Sequence, residues 1–159
     1  MEPSEWMGVF RELHTRLKAD QLSPKERERY LSMREELARS LAAAQGLTVP
    51  EGENARRYFR VAQVFVLELN NLARSMTRDV SRSGFSATVP GAFVENDTLS
   101  FAITLGRGQE PITGQGHVVS SIKQQGNSKV SVAIDVLNEA NAERLEIALF
   151  DSVLARFKT

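Results

Sequence analysis

The chain has no cysteine, which removes disulfide frameworks, thiolate metal sites and cysteine nucleophiles together. It also lacks a long apolar run. The best stretch, residues 61–69, is broken by Gln63 and Glu68, well short of the roughly 20 residues a membrane helix needs. Charge excess is absent too: 20 Lys and Arg face 20 Asp and Glu, so a bulk polybasic binder of nucleic-acid polymers is excluded and only a local patch can serve an anion. The opening "MEPSEWMGVF" has no basic stretch leading into an apolar segment, so no signal peptide and no membrane insertion are expected. With the missing cysteine, that fits a reducing, cytoplasmic setting.

Catalytic chemistry is equally scarce. The two histidines, His14 and His117, lie far apart without ligand-type spacing and read as packing or surface groups, so no metal is expected. "GRGQE" and "GQGHV" carry paired glycines but neither continues as a phosphate-binding fingerprint. Glu35 and Glu36 are neighbours on a helix, point in different directions, and read as solvated surface charge. No nucleophile has a base beside it, so the chain is not expected to be an enzyme and no cofactor is called for.

What is present divides near residue 50. The 159 residues suit one domain, or one domain plus a small appendage. Trp6, Phe10, Leu13 and Leu17 mark one face of a first helix, with Ser4 as its candidate cap. Ser23, Pro24 and Glu26 spell a capping box for a second, whose stripe is Tyr30, Met33, Leu37, Leu41 and Ala44 and whose stop signal is Gly46. Together they predict an antiparallel helical hairpin and a linker over residues 1–50. From residue 51 to 159 strands dominate. Residues 61–69 read as a strand buried on both faces for part of its length; "MTRDVSRSGFSATVP" reads as strand, turn and strand; "DTLSFAITLG", "ITGQGHVVSSIKQQ" and "KVSVAIDVL" follow. Short strands joined by turns, with no helix between them, favour an antiparallel barrel or sandwich. A closing helix, "NEANAERLEIALFDSVLARF", capped by Asn138 or Asn141, is apolar over more than one face and is expected to touch two surfaces.

Two stretches stand apart. "RRYFR" at 56–60 puts Arg56, Arg57 and Arg60 ahead of the first strand with no acid apparent to pair with them, and "DVSRSG" at 79–84 offers Asp79, Ser81 and Gly84. Arginine forks onto phosphate and stacks on flat rings. A carboxylate accepts N–H donors such as those of a guanine edge, a hydroxyl donates or accepts, and glycine lets backbone approach closely. Each stretch alone is what a solvated strand entrance or a hairpin turn also looks like.

In this order the two resemble the signature of the PilZ domain, R-x-x-x-R at Arg56 and Arg60 followed by D-x-S-x-x-G at Asp79, Ser81 and Gly84. "RRYFRV", "GQGHVVSS" and "KVSVAIDVLNEANAERLEIAL" are also similar to the family's wording, over roughly residues 53 to 157. The resemblance implies a six-stranded antiparallel β-barrel with a C-terminal helix, here preceded by the helical hairpin. It implies a bacterial receptor for the second messenger cyclic di-GMP, acting on motility, surface behaviour or exopolysaccharide through a protein target met by the N-terminal or C-terminal helices, or through a homodimer. Arg56 and Arg60 are then expected at the phosphates and guanine faces, Arg57 as an auxiliary contact, Asp79 and Ser81 at a guanine edge, and Gly84 in the turn. The alternative is a PilZ-like interaction module that binds no nucleotide; such divergent members commonly alter these residues, all of which stand here.

Overall fold

The computed structural model describes residues 1–157, which fall into two compact units, Met1–Phe59 and the residues from Arg60 onward. "VPEGEN" and the first two arginines of the cluster thus go with the helices, and Arg60 goes with the strands.

The first unit is a helical hairpin, α1 (Pro3–Lys18) and α2 (Pro24–Ala44), followed by a single 3-10 turn, Ala55–Arg57. Glu2, not Ser4, is the N-cap position of α1 and makes no side-chain cap bond; Pro3 takes the first helical position, where its fixed φ fits the helix and its missing N–H costs no intrahelical bond. Ser23 forms the full capping box on α2: its hydroxyl accepts from Glu26 N at 3.1 Å, and Ser23 N donates to Glu26 Oε1 at 3.0 Å. Gly46, at φ +71°, follows the helix in the left-handed region expected of a stop signal. Between the helices, Phe10 stacks on Tyr30 and on Trp6, and His14 Nδ1 meets the Tyr30 hydroxyl at 2.7 Å. His14 is therefore a buried packing group. The α2 stripe passes through Tyr30, Met33, Arg34, Leu37, Ala38 and Ala42, leaving Leu41 half-buried and Ala44 exposed.

Arg16 reaches across the hairpin to Glu26 at 2.7 and 3.1 Å. The hydrogen bond from Arg16, then those of the Ser23 cap, pull the Glu26 carboxyl from the ordinary 4.5 down to about 2. A lowered carboxyl stabilises the fold fully above its unfolded value and loses that contribution as pH falls through the folded one. The stability gap between wild type and Glu26→Gln, read by denaturation followed with circular dichroism, is therefore expected to be constant above pH 4.5 and to close as pH falls toward 2. A gap that persisted at the acid end would show that Glu26 acts by packing alone.

The second unit is a closed barrel of β1 (Val66–Leu69), β2 (Ala73–Ser81), β3 (Gly84–Pro90), β4 (Thr98–Thr104), β5 (Ile112–Gln124) and β6 (Asn127–Val136), then α3 (Glu139–Arg156). The order around the barrel is β1-β2-β3-β6-β5-β4, every pairing is antiparallel, and β1 closes onto β4. Alternation along the strands sends Leu67, Leu69, Phe85, Ala87, Val89, Ile103, Ile112, Val118 and Val130 inward, where Phe85 meets Phe101 edge-on at 5.4 Å. Asn70, Asn71 and Leu72 make the three-residue turn between β1 and β2, with φ of 53° at Asn70 and 59° at Asn71, values asparagine tolerates. Asn138 caps α3 by accepting from Asn141 N at 2.7 Å. Leu145, Leu149 and Val153 are buried, as are Phe150 and Leu154 of the neighbouring stripe, whereas Phe157 is half-exposed.

The first strand is shorter than its sequence pattern suggests. Val61 forms only an isolated bridge with Val80, and the regular ladder starts at Val66. The cause is Thr77. Its hydroxyl donates to Gln63 O and accepts from Phe65 N, both at 2.8 Å, so a side chain substitutes for ladder bonds and the backbone at 62–65 loops around it. Thr77 is also where β2 slips register against β3, between Thr77 and Asp79.

Candidate functional site

The residues singled out by sequence are distributed over both units. Arg56 and Arg57 sit in the 3-10 turn Ala55–Arg57. That turn is fixed by Glu35, whose Oε2 accepts from Ala55 N at 3.1 Å, so Glu35 is an anchor of the arginine turn and not solvated surface charge. Arg57 lies 4.0 Å from Glu53, an acid four residues upstream, with both side chains about half-exposed.

Arg60 opens the barrel unit, next to the Val61–Val80 bridge that ties its segment to β2. This bridge brings Arg60 to Asp79. Arg60 Nε donates to Asp79 Oδ1 at 2.7 Å, and Arg60 Nη2 donates to the same oxygen. The other carboxylate oxygen, Oδ2, accepts from the Ser86 hydroxyl at 2.7 Å. Ser86 is opposite Asp79 in the β2–β3 register and is nearly buried. Partial burial raises the Asp79 carboxyl; the Ser86 hydrogen bond, the Arg60 hydrogen bond and the charges of Arg60 and Arg78 outweigh that and leave it below the usual carboxylate range. Asp79 is thus an ionised, oriented acceptor that remains partly open to solvent.

Ser81 is fully buried, and its hydroxyl serves its own hairpin: it accepts from Ser83 N at 3.3 Å and donates to Gly84 O at 3.3 Å. Gly84 begins β3 opposite Ala133 of β6, and a Cβ placed there would press into the carbonyl oxygen of Val132. Gly84 is required because β6 backbone passes where a side chain would start. Arg82, between them in the signature, points its Nε at Glu146 of α3, 3.6 Å away, and the Glu146 side chain is nearly inaccessible. Neither Ser86 nor Glu146 was marked by sequence reasoning. Ser86 could have been found by folding "DVSRSGFS" about its centre, which sets Asp79 against Ser86. Nothing local marks Glu146.

His117 Nδ1 and Asp135 Oδ2 form a separate contact on the barrel at 2.8 Å. Among the described residues no cluster of histidine and carboxylate groups could hold a metal, and no helix is long and apolar enough to cross a membrane.

The family model of the PilZ domain matches residues 53–151. The chain belongs to the PilZ family. No curated protein matches it. Among solved structures, this PilZ chain is similar to the inhibitor of motility MotI/DgrA of Bacillus subtilis, with a TM-score of 0.56 and 14% identity over 68% of this chain. It spans 57% of the length of that protein. It is also similar to the PilZ domain of YcgR from Escherichia coli, solved with c-di-GMP, with a TM-score of 0.51 and 15% identity over 64% of this chain and 93% of that one. At such identities the likeness is one of fold, and the closed six-stranded PilZ barrel with its C-terminal helix is that fold.

Proposed function

We propose that this PilZ chain is a cytoplasmic receptor for cyclic di-GMP, without catalytic activity, that changes conformation or partner binding when it captures the nucleotide. The observation that carries the reading is the Arg60–Asp79 pair: the two halves of the signature, distant in sequence, meet on the barrel surface with a guanidinium and an ionised carboxylate side by side. The first suits phosphate and a base face, the second the N–H donors of a guanine edge. Arg56 lies four positions upstream of Arg60 along the chain, as the signature requires, and is assigned to the same ligand with Arg57 as an auxiliary contact. Asp79 is assigned to the guanine edge. Ser81 and Gly84 are assigned to the shape of the hairpin, which their burial and close packing support.

The YcgR domain was solved with c-di-GMP and MotI is described as an inhibitor of motility, which supports both the ligand and a motility-related role. An output through a protein target met by the helical hairpin of residues 1–50 or by the C-terminal helix follows the same reading, with residues 51–159 as the ligand-binding part.

Titration calorimetry of the full chain with cyclic di-GMP tests the proposal. Saturable heat with a dissociation constant in the micromolar range or tighter, about −8 kcal/mol, is the expected result. A folded chain that gives no heat and no nucleotide-dependent spectral change would instead make this PilZ chain an interaction module only.

A further inference from the structure

We propose that Ser86 is a further positioning residue of this site, holding the Asp79 carboxylate in its accepting orientation when Arg60 leaves it for the ligand. The inference rests on the receptor reading above and adds a residue outside both halves of the signature.

The argument starts from how the carboxylate is occupied. A carboxylate offers about four lone-pair sites, two on each oxygen. Arg60 places two N–H donors on Oδ1, and Ser86 places its hydroxyl on Oδ2. Oδ1 is saturated. A guanine edge presents two adjacent N–H donors and needs both oxygens, so it cannot dock while Arg60 stays. Capture is therefore an exchange: the guanidinium moves to the ligand's phosphate or base face, and the base edge takes its place on Asp79.

The two partners of Asp79 are unequal in a way that suits this exchange. Arg60 belongs to no strand and lies on the irregular segment before β1. Ser86 lies within β3, paired on one side with Asp79 and on the other with Ser131 of β6, and is 7% exposed. One donor can swing away; the other is fixed by two ladders. After the swing, Ser86 is the neighbour still bonded to the carboxylate, and one lone pair of Oδ2 remains for the ligand. Without the hydroxyl the group would be free to rotate about its side-chain bonds, and the ligand would have to order it. The Ser86 bond also heads the influences that hold Asp79 ionised against its burial.

The test uses the full chain as wild type, Ser86→Ala and Ser86→Thr, with two readouts. The first is calorimetric affinity for cyclic di-GMP. The second is the titration of the Asp79 carboxyl carbon by NMR without ligand. Ser86→Ala is expected to bind about 5- to 10-fold more weakly, the loss typical of one ordinary hydrogen bond that acts on the ligand only through Asp79, and to move the Asp79 titration upward in pH. Ser86→Thr, which keeps the hydroxyl and changes the packing, is expected to stay near wild type in both. Wild-type affinity in Ser86→Ala, an unmoved Asp79 titration, or equal losses in Ala and Thr would each overturn the proposal, the last by showing that packing alone matters. Should the wild-type chain give no heat with cyclic di-GMP, the receptor reading fails, while the ligand-free titration still decides whether Ser86 governs Asp79.

Discussion

Arg60→Ala is expected to abolish cyclic di-GMP binding at concentrations that saturate the wild type, a loss of about a hundredfold or more, while the barrel stays folded. A charged fork removed from the centre of a binding site costs about 3 kcal/mol or more, and about 1.4 kcal/mol is a factor of ten in affinity. The effect on stability is expected to be small. The Arg60–Asp79 pair is roughly two-fifths exposed on both sides, and such pairs contribute at most about 1 kcal/mol after solvent screening. The substitution therefore separates recognition from folding. Arg60→Lys sharpens the test: it keeps the charge and loses the planar fork that places two donors on one carboxylate oxygen. Calorimetry with a thermal melt on each variant reads both quantities. A variant lacking Arg60 that bound like the wild type would remove the arginine from the site.

Gly84→Ala is expected to fail in the opposite way, by destabilising the barrel. Its added Cβ would meet the Val132 carbonyl oxygen, which is backbone within a ladder and cannot rotate aside. β6 is approached just as closely from its other side, where Gly116 of β5 leaves no room for a Cβ beside the Ala133 carbonyl. The strand has nowhere to retreat. Overpacking of this kind costs about 2–3 kcal/mol, which lowers the melting temperature of a domain this size by roughly 10–20 °C. Binding is expected to weaken only in proportion to the folded fraction. A Gly84→Ala chain that melted with the wild type but failed to bind would place Gly84 against the ligand.

The difference between these two signature residues was only partly legible in the sequence. The second helix could be read to the residue, because Ser23, Pro24 and Glu26 complete their cap within four positions. The strands after residue 73 were legible from alternation and turn residues, since each turn is local. The first strand was not. Its outer half is displaced by the Thr77 hydroxyl, and nothing near residues 62–65 announces a side chain that arrives from the next strand. The site divides the same way. Residue types and order were visible, which is why Arg60 and Asp79 could be named. Their contact was not visible, because it depends on the Val61–Val80 bridge. The role of Glu35 was hidden for the same reason, its partner Ala55 being 20 residues away.

The Arg82–Glu146 contact bears on how freely the signature can be moved between proteins. D-x-S-x-x-G reads as a portable cassette with three spacer positions. In this chain the spacer Arg82 is directed at a carboxylate embedded in α3. Grafting residues 79–84 onto another barrel would carry the cation and leave its counter-charge behind. Exchanging α3 for a different helix would do the same from the other side, taking Glu146 away and leaving the largely buried Arg82 without this counter-charge. The hairpin and the closing helix are thus inherited together, and chimaeras of this barrel will tolerate a junction after α3 better than one that parts it from β2 and β3.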